Sequence, residues 1–471
     1  MVSAEQLDRA LNPRTVVVVG DAKARGYRWL RAMSTFTGKL YSVQINPSEI
    51  AGIEALGVPN YGSVLEIPDE VDYVLVAVPR SAAPAVLRDC IAKGVGGVAL
   101  FTSGFAETAT EEGRALQDRV TQMARDAGLV VIGPNCMGLY NPALGVRFGE
   151  NQPAGFEGDV TFLSQSGGHA GDFAMAAHAA GVPVRKVISF GNGVVLGHAD
   201  YLEYFAADAG TRYVAMYVEG LRDGPRFLRI LRETTPRKPV VLWKGGLTDA
   251  GGRATASHTA SLAGSTGIWD AVARQTGAIQ ATSTAEMVDL LKALRLLPVF
   301  TGDGIGLTGG SGGQSVAMAD VFSRAGLRVP ALTEASRERL ASWFSLVGAS
   351  FGNPIDMGAN RAEIDAIMDA LAEDANVDCL VMQIRPAQEG SDDDARRLEA
   401  QLAALARCRG RTGKAIAAIL YSPTPLDDGA AMAALDARLR EIGIPAFPTY
   451  ERAASAIRKV IGYYRFHRPQ A

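Results

Sequence analysis

One histidine lies in a segment whose composition suits a mobile chemical group. His258 stands between Ser257 and Thr259, in a run over 244–265 that follows an apolar strand-like stretch and is rich in Gly, Ala, Ser and Thr. A buried structural histidine would have apolar neighbours at helical spacing, and His258 does not. Neutral imidazole is a competent nucleophile near pH 7. We therefore predict that His258 is phosphorylated during catalysis; the alternative is an exposed histidine on a mobile loop.

A carboxylate is needed to hold such an imidazole in one orientation. Glu219 is the candidate, because it lies at the end of the β-branched run Tyr213–Gly220, where a sheet presents its catalytic side chains. The alternative is a surface carboxylate that simply ends a strand. Phosphoryl transfer depends on positioning and charge stabilisation more than on acid–base work. Anion-binding turns should therefore accompany this pair.

Two serine- or glycine-rich turns follow strand-like runs and precede helical patterns. Backbone N–H groups at such turns, together with the partial positive charge of a helix start, bind anions. Ser164–Gly168 suits a small anion, and the alternative is an ordinary serine helix cap. Thr308–Gln314 is so rich in glycine that it predicts close approach to a ligand, against a flexible loop as the alternative. The predicted phosphate ligands are Ser164, Gln165, Ser166, Gly167, Gly309, Gly310, Ser311 and Gly312.

A further turn, Gly20–Gly26, follows the first strand-like run of the chain. It does not have the G-x-G-x-x-G spacing, so the dinucleotide-binding fingerprint is absent. Lys23 and Arg25 are placed to meet phosphates. The alternative is a tight turn that carries two solvated cations.

The elements that must position these residues alternate between β-branched runs and Ala/Leu-rich helical stretches. This alternation is typical of parallel sheets covered by helices on both faces. The predicted strands are Thr15–Gly20, Tyr41–Ile45, Val71–Pro79, Gly97–Ser103, Leu129–Pro134, Val160–Ser166, Lys186–Gly191, Tyr213–Gly220, Pro239–Gly245, Gly304–Gly310, Val377–Arg385, Ala415–Ser422 and Ile444–Thr449. A Gly/Pro-rich linker over Asn141–Gly158 and a helix over Thr284–Leu297, stopped by Pro298, separate three α/β blocks.

Bulk composition excludes several classes of protein. The 471 residues carry 47 Lys+Arg and 50 Asp+Glu, a formal charge of −3, and no basic run, so nucleic acid or membrane surfaces are not expected partners. No apolar stretch approaches the ~18 residues of a membrane span, and the N-terminus does not read as a signal peptide. The four cysteines form no C-x-x-C pair, which favours buried, reduced thiols in a cytoplasmic protein. The five histidines lack metal-ligand spacing, so no metal site is expected.

Ten motifs occur in an order that identifies a family. They are Asn46-Pro47, Val78-Pro79, Ser103–Phe105, Gly133–Gly138, Ser164–Gly167, Gly191-Asn192, Glu219-Gly220, Ser257–Thr259, Ser261–Gly264 and Asn353–Asp356. Each is weak alone, but together they resemble the α subunit of NDP-forming acyl-CoA synthetases, a group related to succinyl-CoA synthetase. The resemblance implies an α/β chain of three tandem doubly wound domains: a Rossmann-like CoA-binding domain over 1–145, a flavodoxin-like succinyl-CoA-synthetase-type domain with the phosphohistidine over 155–298, and a second flavodoxin-like domain over 303–471.

The resemblance also implies roles for individual residues. Positions that match the family's CoA site are Gly20, Lys23, Asn46, Pro47, Val78, Pro79, Ser103, Gly104, Asn135 and Cys136. Phosphate would attack the acyl-CoA to give an acyl phosphate; His258, steadied by Glu219, would take the phosphoryl group and deliver it to ADP. One departure is that Asp21 stands where the family commonly has a small residue.

None of the three blocks resembles an ATP-grasp domain. The resemblance therefore implies that ATP or ADP, with Mg²⁺, is bound by a separate ATP-grasp β subunit in an α2β2-like assembly. CoA, phosphate and a carboxylic acid are the expected small ligands of this chain. Two other functions stay open: a non-catalytic CoA-binding or regulatory protein, against which His258 and Glu219 argue, and a Rossmann oxidoreductase, against which the missing fingerprint argues.

Overall fold

The computed structural model describes residues 2–253 and 266–468. The chain divides into two compact units, Met1–Met287 and Val288–Ala471, and each is described by itself. The first unit contains two six-stranded sheets and the second unit contains one. The sheets are largely parallel and are accompanied by helices, which confirms the predicted α/β class.

The first sheet grows from a short β-branched run. Thr15–Val19 (β1) is buried at every position, as expected for a central parallel strand covered on both faces. The sheet has the order β3-β2-β1-β4-β5-β6, with every pairing parallel. This is the Rossmann order, which reverses direction between β1 and β4. The other strands are Lys39–Val43 (β2), Asn60–Tyr61 (β3), Tyr73–Val76 (β4), Gly97–Leu100 (β5) and Val130–Ile132 (β6).

The second sheet has the order β12-β11-β10-β8-β9-β7, in which β7 alone runs antiparallel to its neighbour. Its strands are Gly138–Tyr140 (β7), Val160–Ser164 (β8), Val184–Ser189 (β9), Tyr213–Val218 (β10), Val240–Lys244 (β11) and Ile279–Ala281 (β12). The five strands β8 to β12 have the flavodoxin order, and the direction of growth reverses between β8 and β10.

The third sheet lies in the second unit and has the order β14-β15-β13-β16-β17-β18. Its strands are Ile305–Thr308 (β13), Ser350–Phe351 (β14), Ile355–Asp356 (β15), Cys379–Ile384 (β16), Ala415–Leu420 (β17) and Ala446–Phe447 (β18). Only the β14–β15 pairing is antiparallel among these strands. The reversal of strand order falls between β13 and β16.

The helices begin at residues that satisfy their first amide groups. Asn46, Thr110 and Ser166 each accept a hydrogen bond from an amide in the helix they precede. The helices are Ala4–Leu11 (α1), Arg28–Ala32 (α2), Pro47–Glu54 (α3), Ala83–Lys93 (α4), Glu111–Asp126 (α5), Gly167–Ala179 (α6), His198–Ala207 (α7), Gly224–Thr234 (α8), Thr266–Thr276 (α9), Thr284–Leu296 (α10), Gly312–Arg324 (α11), Glu334–Ala341 (α12), Ile364–Glu373 (α13), Asp392–Thr412 (α14), Gly429–Glu441 (α15) and Tyr450–His467 (α16).

Every predicted strand has a counterpart in the structure, but the sequence did not indicate β3, β7, β12, β14 and β15. These strands have two or three residues each, too few to show alternation. The strand β7 joins the second sheet although it follows the first sheet in the chain and precedes the Gly/Pro-rich stretch. The domain bounds 1–145, 155–298 and 303–471 stay a prediction.

The four cysteines are buried and unpaired, as the sequence indicated. Burial raises the pKa of Cys90 and of Cys136 to about 12 and also raises the pKa of Cys379 and Cys408. Thiolate, the reactive form, is therefore scarce at neutral pH, and the sulfur atoms are shielded as well. Within the described residues, no helix is long and apolar enough to cross a bilayer.

We predict that an aromatic disulfide reagent such as DTNB labels no cysteine of the native protein within minutes at pH 8. The unfolded chain in concentrated guanidinium chloride should release thiolate equivalent to all four cysteines. Absorbance of the released thionitrobenzoate measures both. A native thiol that reacts as fast as free cysteine would contradict the burial of these side chains.

Candidate active site

A cavity of about 890 Å³ lies at the carboxyl ends of the strands in the first unit. Its walls come from the turns that follow β1, β4, β5, β6 and β8. It is lined by Arg25, Arg28, Trp29, Ala77, Val78, Pro79, Arg80, Phe101, Thr102, Ser103, Asn135, Cys136, Met137, Gln165 and Gly167. Five residues predicted for the CoA site and two predicted for the phosphate site therefore border one continuous space.

Other predicted residues lie outside this lining. Gly20 packs against the next loop: its φ is +85°, and a Cβ there would stand 2.5 Å from Val78 Cγ1, so only glycine allows the approach. Lys23, Asn46 and Pro47 are exposed beside the first turn, and Asn46 caps α3 through Ser48 N at 3.2 Å. Gly104 N donates to Glu107 Oε1 at 2.6 Å.

Asp21 fills the position where a Rossmann turn usually receives a phosphate. Its carboxylate is 1% exposed and accepts hydrogen bonds from Trp29 N and Leu30 N, each at 2.9 Å. Burial raises the pKa of Asp21, whereas the hydrogen bonds from the amide groups act to lower it. Because an internal carboxylate already binds the amides of α2, that helix start offers no site for an external phosphate.

Arginine side chains from separate parts of the chain supply positive charge to the lining of the cavity. Arg25 lies over the Phe101 ring, with its guanidinium carbon 5.8 Å from the ring centroid, and Phe101 packs edge-on against Trp29 at 4.9 Å. Arg80 donates to Gly104 O at 2.8 Å and pairs with Glu112 at 2.8 Å. Of these residues the sequence singled out Arg25 but missed Arg80, Phe101 and Trp29, because their convergence depends on loops far apart in the chain.

The serine turn after β8 borders the same cavity through Gln165 and Gly167. Ser164 Oγ donates to Ser166 O at 2.8 Å and accepts from Ser166 N at 3.1 Å. Ser166 Oγ then caps α6 by accepting from His169 N at 3.3 Å. The first amides of a helix have no intrahelical acceptor, and here they follow a turn fixed by its own hydroxyls. The geometry suits a small anion at Gly167, which lines the cavity.

Glu219 lies beside this turn because β8 and β10 are neighbouring strands. Glu219 is 4% exposed, and its N–H donates to Gln165 Oε1 at 2.6 Å. The N–H of Gly220 donates to the same oxygen at 2.9 Å. Lys244, at the end of β11, donates to Glu219 O at 2.9 Å. Glu219 is thus a buried residue whose backbone is bound by side chains from both adjacent strands, rather than a surface residue that ends a strand.

Aromatic rings surround the same strand ends. The His169 ring packs 4.4 Å from Tyr217 and 4.5 Å from Trp243. Burial lowers the pKa of His169, although the charges of Asp172 and Glu219 act to raise it. Burial, with the Glu219 charge and a hydrogen bond to Glu219, raises the pKa of Tyr217 to about 12. His169 is therefore neutral and Tyr217 is protonated at neutral pH.

His258, the predicted phosphorylated residue, lies outside the described residues, which end at Arg253 and resume at Thr266. The chain enters this interval shortly after Lys244, whose ammonium contacts Glu219.

The third predicted turn lies in the second unit, at the reversal between β13 and β16. Gly309 has φ +98°, and a Cβ there would stand 2.1 Å from Gln383 O, so glycine is required. Ser311 and Gln314 form a capping box at the start of α11. Gly309 also lines a cavity of about 50 Å³ with Arg361, Arg385 and Arg397. Gly310, Ser311 and Gly312 belong to this turn but do not line the cavity.

Among the described residues, no group of three or more His, Cys, Asp or Glu side chains is arranged to hold a metal ion.

Two family models match the chain in the predicted order. Residues 14–142 match a CoA binding domain, and residues 157–294 match a succinyl-CoA ligase like flavodoxin domain. The CoA binding domain lies within the first unit, whereas the flavodoxin domain extends beyond Met287, where that unit ends.

Relatives with assigned names match over most of their length. The α subunit of ADP-forming acetate–CoA ligase II from Pyrococcus furiosus is 35% identical over 80% of this chain and 81% of its own. The α subunit of isozyme I from the same organism is 33% identical over 96% of both chains. Among solved structures, a dinucleotide-forming acetyl-coenzyme A synthetase 1 from Candidatus Korarchaeum cryptofilum, in complex with phosphate and ADP, aligns with a TM-score of 0.82 at 26% identity, over 98% of this chain and 97% of that chain.

We predict that Asp21→Ala destabilises the protein by about 1–3 kcal/mol, because it leaves the buried amides of Trp29 and Leu30 without their acceptor. Urea unfolding followed by circular dichroism measures the change. Asp126→Ala is the matched control, since Asp126 accepts from Gln122 Nε2 on the surface of α5. Its effect should stay within about 0.5 kcal/mol. Equal effects of the two substitutions would show that Asp21 does not support the turn.

Proposed function

We propose roles for individual residues from one premise: the chain belongs to the family of ADP-forming acetate–CoA ligases. It is a CoA-binding ligase that interconverts acid, CoA and ATP with acyl-CoA, ADP and phosphate. The relatives are ligases, so they favour this function over a non-catalytic CoA-binding protein and over an oxidoreductase. The observation that carries the proposal is the single cavity that joins the arginine-rich turn to the serine turn beside Glu219.

CoA would enter the cavity with its phosphates at the arginine end. Arg25 lies on the turn after β1, Arg28 is the first residue of α2, and Arg80 lies on the turn after β4. Because Asp21 occupies the amides of α2, charged side chains rather than a helix start would hold the phosphates. Val78, Pro79, Ser103, Asn135 and Cys136 would line the path of the pantetheine arm, and Gly20, Lys23, Asn46, Pro47 and Gly104 would support its entrance.

The thioester would then reach the serine turn, where phosphate is bound. Ser164, Gln165, Ser166 and Gly167 form this turn, and the start of α6 adds partial positive charge. An oxygen of phosphate attacks the thioester carbonyl, the C–S bond breaks, and CoA leaves as thiolate. The product is an acyl phosphate.

The phosphoryl group would next move to His258. An imidazole nitrogen attacks phosphorus, the bond to the acyl oxygen breaks, and the carboxylate leaves. Glu219 would accept the hydrogen bond of the other ring nitrogen and so fix the imidazole and offset its charge. Delivery of the phosphoryl group to ADP completes the cycle. Gly309, Gly310, Ser311 and Gly312, in the second unit, would supply a further phosphate turn.

The nucleotide site is proposed to lie on a partner chain. The two Pyrococcus relatives are named as α subunits, and this chain spans 81% and 96% of them. An acetate–CoA ligase from Archaeoglobus fulgidus that is not named as a subunit is longer, since this chain spans 64% of it. We infer a separate ATP-grasp β subunit that binds ATP or ADP with Mg²⁺, in an α2β2-like assembly.

We predict that Arg25→Ala weakens binding of CoA by about 10–100-fold, the value of one or more charge-assisted hydrogen bonds. Binding of pantetheine, which lacks the phosphates, should not change. Isothermal titration of the isolated chain measures both Kd values. Arg114→Ala is the control, because Arg114 lies on α5 and donates to Ala109 O outside the cavity. Equal loss for CoA and pantetheine would place the phosphates elsewhere.

We predict that the chain, mixed with an ATP-grasp β subunit and ATP labelled at the γ-phosphate, acquires acid-labile, base-stable label on His258. His258→Ala should abolish the label, and Glu219→Gln should slow its appearance. His178→Ala is the control, since His178 packs against Phe156 on α6 with ring centroids 5.5 Å apart. Label that survives His258→Ala would overturn the phosphohistidine.

A further inference from the structure

Lys244 is a buried cation that the reaction outlined above does not use. It is 9% exposed at the carboxyl end of β11. Its ammonium donates to Glu219 O at 2.9 Å and also to Gly245 O. The ring of Trp269 lies 5.8 Å from Nζ. Burial of an ammonium is unfavourable unless its hydrogens find acceptors, and here backbone carbonyls at the candidate site provide them.

Lys244 and Gln165 together bind both polar groups of the Glu219 backbone. On the β8 side, the carboxamide oxygen of Gln165 accepts from Glu219 N at 2.6 Å. On the β11 side, Lys244 donates to the carbonyl of Glu219. Both polar groups of the Glu219 backbone are therefore bound by side chains from the two flanking strands. Since the backbone sets the direction of the Cα–Cβ bond, this arrangement restricts the positions that the carboxylate can reach.

The charge of Lys244 has a second effect at the same place. Glu219 is 4% exposed, so its negative charge is poorly screened by water. Burial lowers the pKa of Lys244, and the charge of Glu219 acts in the opposite direction, favouring the ammonium. A neutral donor at position 244 would hold the carbonyl but would not supply this charge.

We propose that Lys244 is a positioning residue for the phosphoryl-transfer step: it holds the Glu219 backbone from the β11 side and so restricts the positions open to the carboxylate that is proposed to steady the imidazole. This inference rests on the proposed role of Glu219. Lys244 does not line the candidate cavity, and its proposed effect on the reaction passes through Glu219, whose carbonyl it binds.

A matched lysine lies just before the first residue of the same strand. Lys238, two residues before β11, donates to Phe205 O at 2.9 Å and to Asp208 O at 2.6 Å. Lys238 and Lys244 thus bind two backbone carbonyls each, at opposite ends of β11. If both lysines only stabilised the fold, substitution of either one should have the same effect on activity. If Lys244 positions Glu219, substitution of Lys244 should lower activity more than substitution of Lys238.

The test compares Lys244→Met with Lys238→Met in the complex of this chain with its ATP-grasp partner. We expect Lys244→Met to lower kcat and the rate of histidine labelling by about 10–100-fold, the usual cost of a displaced supporting group. The KM for CoA should change less than about twofold, because the CoA cavity is not lined by Lys244. Lys238→Met should lower Tm at least as much but leave kcat within about twofold. A kcat that falls equally in both variants would overturn the proposal.

Two further variants decide whether Lys244 acts through Glu219. In a Glu219→Gln background, adding Lys244→Met should lower kcat by less than about twofold, because a residue that acts through another has nothing left to orient. A full additional loss would overturn the proposal. Lys244→Gln, which keeps one donor without the charge, should give a kcat between wild type and Lys244→Met, and it serves if Lys244→Met does not fold.

These outcomes are separable from those of the proposed function. If the wild-type complex acquires no acid-labile label, the phosphohistidine mechanism fails, and this inference fails with it. If the label depends on His258 but forms in Lys244→Met at the wild-type rate, only the inference about Lys244 fails.

Discussion

The candidate site depends on one topological constraint, the reversal of strand order in a parallel sheet. At this reversal, the segments that follow two neighbouring strands cross to opposite faces of the sheet. The gap between their carboxyl ends is then left uncovered. In the second sheet the reversal falls between β8 and β10, where Ser164 is paired with Tyr217. The serine turn and Glu219 therefore meet at this gap. Gln165 bridges it, because its carboxamide binds the backbone of the neighbouring strand.

The first two sheets present their reversals to one cavity. The loop between β6 and β7 hydrogen-bonds to the end of β9 and to the loop that follows it. Asn192 N donates to Pro134 O at 3.0 Å, and Met137 N donates to Ser189 Oγ at 3.1 Å. The strand β7 then pairs with β9 and fastens the end of the CoA-binding segment to the second sheet. The two ends of the cavity are thereby parts of one compact unit.

The sequence was sufficient for the family, the three doubly wound sheets and the residues at strand ends, and the comparisons confirm the family. Strand ends can be predicted because a buried β-branched run followed by Gly, Ser or Asn is a strong local signal, as at Ser164 and Asn135. Trp29 and Arg80 carry no such signal, since they meet only when their loops are folded together. The sequence showed that Asp21 replaces the small residue common in the family. It did not show that the carboxylate accepts hydrogen bonds from Trp29 N and Leu30 N, because these depend on a tight turn that brings the two amides close to Asp21.

In the turn around Asp21, the residues that stabilise the loop are different from the residues that are proposed to bind the ligand. In a Rossmann turn that binds a phosphate through its amides, the same backbone atoms determine the loop conformation and bind the ligand. The loop conformation and the ligand preference therefore cannot change independently. Here the loop is completed by its own carboxylate, and the arginine side chains proposed to bind the phosphates lie on its rim. Substitution on the rim can therefore tune ligand preference during evolution or engineering while the strand–turn–helix beneath it stays intact.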